Sequence, residues 1–70
     1  MVKVGSLVKL GPDDNIFFQS ENGSERVYLE SFECGIVTRI SSWSKAIEYE
    51  VLIGNQIFSV LKPNNMEKIQ

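Results

Sequence analysis

Residues 47–61 read IEYEVLIGNQIFSVL, and the period of this stretch decides the fold. Tyr49, Val51 and Ile53 fall on one side, Glu48 and Glu50 on the other. A period of two is that of a β-strand buried on one face. Gly54-Asn55 interrupts the pattern, and glycine followed by asparagine suits a two-residue hairpin turn. Such a turn sets Val51 opposite Phe58 and Tyr49 opposite Val60, and it leaves Glu48, Glu50 and Ser59 together on the far face. The apolar sides agree across both strands, so the register is well specified. A slip of one residue would turn every one of these side chains to water.

The same character continues toward the N-terminus. ECGIVTRI, residues 33–40, is a β-branched run in which Gly35 marks a bulge or bend. SSWSKA, residues 41–46, is small and polar apart from Trp43 and is expected as a loop. In NIFFQSENGSERVYLE, residues 15–30, Asn22-Gly23 signals a hairpin with a type I′ turn. That turn pairs Phe18 with Val27, Phe17 with Tyr28 and Ile16 with Leu29, so that Phe17 and Tyr28 share the face opposite Ile16, Phe18 and Val27. SLVKL, residues 6–10, opens the fold, KPNN, residues 62–65, supplies a tight turn, and MEKI, residues 66–69, closes it.

The expected architecture is all-β: five strands, with a long hairpin-like loop after the first. With one apolar face per strand and only 70 residues, the sheet must curl on itself to bury that face. The result is one small barrel domain over residues 1–70, lined by Val8, Leu10, Tyr49, Val51, Phe58 and Val60.

Composition narrows the function classes. A chain of this length buries only about 60% of its unfolded surface, so its core is small. Cys34 is the single cysteine and histidine is absent, which leaves no intrachain disulfide, no zinc cluster and no expected cofactor. A lone cysteine of this kind is expected as a small buried hydrophobe in a reducing compartment. No apolar run approaches the ~20 residues of a membrane span, and MVKVGSLVKL lacks the apolar core of a secretory signal. A soluble, cytoplasmic protein is expected. The net charge of −2 is unevenly spread: residues 11–33 hold six acids against one base, and the remainder six bases against three acids. The scattered bases argue against a nucleic-acid partner. Arg39 is expected across from Glu48.

The order of connections over residues 4–69 resembles that of the SH3-like barrels. Residues 11–33 look like the long RT-type loop, SSWSKA like the n-Src-type loop, Gly54-Asn55 like the distal turn and KPNN like the short turn before the last strand. VGSLVKL, CGIVTRI and YEVLI are also similar to strands of KOW and Tudor barrels, and to short barrel proteins of phages and bacteria. Met66 stands where peptide-binding SH3 domains carry a tyrosine, and their Ala-Leu-Tyr-Asp-Tyr-type segment is missing. Both departures argue against a proline-rich ligand.

The candidate partner-binding residues are Trp43, Phe17, Tyr28, Asp13 and Asp14. The three aromatics would supply contact area, because large flat side chains dominate interface energetics. The two aspartates would select charge. The expectation is a non-enzymatic protein-interaction module whose partner presents a basic or aromatic-anchored surface. The alternatives are a KOW-like nucleic-acid-binding barrel, or a structural subunit of a phage assembly that forms homo- or hetero-oligomers through an edge strand.

Overall fold

The computed structural model describes residues 2–44, 46–61, 63 and 66–70. The KPNN turn expected over residues 62–65 lies, Pro63 apart, outside the described residues. The strands are β1 (Leu7–Leu10), β2 (Asn15–Ser20), β3 (Gly23–Val27), β4 (Glu33–Trp43), β5 (Ala46–Ile53), β6 (Gln56–Leu61) and β7 (Glu67–Lys68). Among the described residues they form one antiparallel sheet in the order β3-β2-β6-β5-β4-β1-β7. Among the described residues seven strands replace the expected five, because both arms of the excursion after β1 are themselves strands, β2 pairing with β6 and β3 with β2. The sheet stays open: β3 and β7 lie at its two edges.

The sheet is nevertheless sharply bent. β1 and β2 are four positions apart in strand order, which would separate them by roughly 19 Å in a flat sheet. Yet Val8 and Leu10 of β1 share one buried cluster with Ile16, Val37, Val51 and Val60. Gly35 is where the bend becomes possible. A Cβ built there would stand 2.6 Å from the Leu52 carbonyl oxygen and 2.6 Å from Val51 Cγ1, so only hydrogen fits between β4 and the inner side of β5. Because Gly35 takes the inward position, Cys34 beside it points outward and is exposed, which corrects the expectation of a buried thiol.

The β5–β6 hairpin has the register its alternation requires, with Val51 opposite Phe58 and Tyr49 opposite Val60. Gly54 carries φ +64 while Asn55 does not adopt positive φ, the pattern of a type II′ turn. The β2–β3 hairpin differs from expectation. Ser20 pairs with Gly23 and Ile16 with Val27, so the turn is Glu21-Asn22 rather than Asn22-Gly23. Gly23 alone of this turn has positive φ, +113, which fits a type I turn followed by a glycine bulge. The pairing shifts by two residues, an even number, so the faces are unchanged and only the partners differ. Arg26, not Tyr28, faces Phe17.

Of the expected loop, Ser41–Trp43 and Ala46 are strand. β4 runs through Trp43, which pairs with Ala46, and Ser44 turns the chain at φ +53. The register steps between Val37 and Arg39, leaving Thr38 as the extra residue of a bulge; its hydroxyl donates to Glu50 at the carbonyl (3.2 Å) and Oε1 (3.1 Å). With the bulge and the tighter turn, Arg39 comes opposite Glu50 instead of Glu48, and Glu48 faces Ser41.

Candidate functional site: a groove on the outer sheet face

Strand parity sorts the outer face. On β2 it carries Phe17 and Gln19, on β6 Ser59 and Leu61, and on β5 Ala46 and Glu48, because directly paired residues share a face. These residues line a hollow of about 620 Å³ between the β2–β3 arm and the tip of the β4–β5 hairpin, with Ser24 on one wall and Ser44 on the other. Its surface is predominantly apolar, and Phe17 and Leu61 are half-buried. Glu48 is the one carboxylate in its lining.

The aromatic pair read from the sequence is assembled, though not by direct contact. The Arg26 guanidinium lies 6.0 Å from the Phe17 ring centroid and 4.8 Å from that of Tyr28, so a cation bridges the two. At an exposed site each such contact is worth about 0.5–1 kcal/mol. Tyr28 is 72% exposed. The backbone of Trp43 lies at the hairpin tip beside Ser44 and opposite Ala46, both on the groove wall. The role expected of the Trp43 side chain lies outside the described residues.

The two aspartates part company. Asp13 is exposed. Asp14 is 1% exposed and its Oδ2 accepts a hydrogen bond from the Gly11 N–H at 2.8 Å, while its own N–H donates to the Gly11 carbonyl at 3.2 Å. It holds the turn between β1 and β2 and presents no surface to a partner, which corrects its expected role in charge selection. The exposed acids of the excursion are Asp13, Glu21, Glu25, Glu30 and Glu33.

Sequence reasoning missed Arg26, Ala46 and Leu61, and it placed Ser59 on this face without assigning it to the site. Arg26 was hidden by the one-residue displacement of the turn; the tripeptide Glu21-Asn22-Gly23, which suits a glycine bulge, was the available signal. Leu61 carries the same parity as Ser59 and could have been placed from the β5–β6 register alone.

A second hollow, about 570 Å³, opens between the 28–33 segment and the Gly54 turn. Its floor is the core-facing side of Ile16, Val27, Ile53 and Phe58, so it is the unclosed end of the sheet, with Glu30 and Glu33 at the rim. Among the described residues no group of three or more His, Cys, Asp or Glu side chains is arranged to hold a metal ion. Among them, too, no helix is long and apolar enough to cross a membrane. Comparison with protein-family profiles, with curated proteins and with solved structures found no match.

Proposed function

We propose that this chain is a non-enzymatic protein-interaction module built on an SH3-like topology, and that the outer-face groove between Phe17 and the Ser44–Ala46 tip is its binding site. The strand order supports the topology: a hairpin excursion follows β1, β4–β5–β6 form a meander, and β7 returns beside β1. The observation that carries the site is the groove itself, an apolar channel floored by Phe17 and Leu61 and open to solvent. Small ligand and peptide sites share this make-up, a mostly apolar floor with a few polar groups that orient the occupant. Glu48 on the wall and the exposed acids of the excursion favour a partner that brings an aromatic or aliphatic anchor flanked by basic residues.

The test is amide chemical-shift mapping of the labelled chain with a short peptide carrying one tryptophan between arginines. The signals of Phe17, Ser24, Ala46 and Leu61 should move together, and Phe17→Ala should abolish the response while the chain stays folded. Random single-stranded RNA serves as the second probe. Shifts confined to other residues, or a salt-dependent response to RNA alone, would reject this reading.

A further inference from the structure

The register places an aliphatic row across the outer face. Leu7 pairs with Ile36, Ile36 with Leu52, and Leu52 with Ile57, so four adjacent strands contribute one apolar residue each. Ile69, whose N–H donates to the Leu7 carbonyl at 2.7 Å, extends the row on the β7 side. Ile36, Ile57 and Ile69 are 45%, 43% and 45% exposed. Beside the row, Arg39 of β4 stands level with Glu50 of β5, above a polar hollow of about 400 Å³ that Glu48 also lines. Single exposed aliphatics need no explanation, whereas a contiguous row rimmed by charge marks an interaction surface.

We infer that this face docks onto a second copy of itself, about a two-fold axis that runs along the strands between β4 and β5. Charge complementarity carries the occupant, because Arg39 and Glu50 stand level on either side of that axis. Rotation about that axis lays β4 of one copy over β5 of the other at the same height. Ile36 then meets Leu52 of the second copy, and Arg39 meets Glu50, each contact occurring twice as a two-fold interface requires. The hollow between Glu48 and Glu50 receives the guanidinium, whose planar fork suits carboxylates. Facing sheets cross at an angle because both twist, so close register holds only near the axis, and β4 and β5 are the strands nearest to it. Self-pairing through the β3 edge is opposed by charge in the registers centred on Glu25 or Arg26, which set those like charges face to face.

The inference shares Glu48 with the groove reading, and charge reversal at Arg39 and Glu50, which the groove does not use, tests it. Sedimentation of the wild-type chain from millimolar to micromolar concentration should move from about twice 7.9 kDa toward 7.9 kDa. Arg39→Glu and Glu50→Arg should each be monomeric throughout, since each sets like charges face to face, and an equimolar mixture of the two should recover the dimer. Melting curves establish that both fold; Arg39→Gln, which should weaken the dimer several-fold, replaces a variant that does not. A wild-type monomer at every concentration, a dimer indifferent to both reversals, or a mixture that stays monomeric would each overturn it. Peptide mapping on the monomeric Arg39→Glu chain then separates failure of the dimer from failure of the groove, because Phe17 and Leu61 are untouched.

Discussion

Gly35 does for the bend what no other residue type can. Its missing Cβ lets the Leu52 carbonyl and the Val51 methyl come within 2.6 Å of where that atom would sit. Backbone cannot retreat as a flexible side chain would. Gly35→Ala should therefore cost about 1–3 kcal/mol, the usual range for overpacking, read as a lowered urea midpoint. Asp14 is a second residue with a local task. Its carboxylate meets the Gly11 N–H in a site 1% exposed. Asp14→Ala strands that donor, and the loss should be about 1–3 kcal/mol in the same measurement.

At the scale of elements, the hairpins show how turn chemistry sets partners while alternation sets faces. Gly54 at φ +64 and Ser44 at φ +53 both sit in the left-handed region, but only the first has the residue that region favours. An L side chain there costs roughly 1–2 kcal/mol. Gly54→Ala should lower stability by about that amount, and Ser44→Gly should raise it by up to about 1 kcal/mol, both visible as opposite shifts in melting temperature. The Thr38 bulge matters in a different way. It adds one residue to β4, turns Arg39 back to the outer face beside Glu50, and increases the local twist that hollows this face.

For the molecule as a whole, the balance is narrow. Among the described residues six fully buried apolar side chains make the core: Val8, Leu10, Ile16, Val37, Val51 and Val60. A core of this size rarely supplies more than ~3–5 kcal/mol without a disulfide or metal. Leu10→Ala, which typically costs 2–5 kcal/mol at about this degree of burial, should leave the chain largely unfolded at room temperature by circular dichroism. Two open edges remain, and each is blunted. β7 is two residues long, and β3 carries Glu25 and Arg26 on neighbouring positions. Short, charged edges resist uncontrolled pairing. The exposed aliphatic row with Ile36, Ile57 and Ile69 is apolar surface left for association.

The strands, the β5–β6 register and the inward set of Val8, Leu10, Val51 and Val60 were legible in the chain, because each follows from a local period of two and a local turn. That Phe17 lies on the face opposite Ile16 and Phe18 was legible for the same reason, since parity survives a shift of two residues; whether Phe17 and Tyr28 are buried or exposed was not. Tertiary structure alone decided that β2 lies on β6, which closes one side of the groove with Leu61 and Ser59, and that Asp14 is buried. It also decided that residues 41–43 and Ala46 extend two strands, since pairing energy there outweighs the weak strand preference of serine. These outcomes depend on how far a bent sheet brings together residues distant in sequence, and no local pattern encodes that distance.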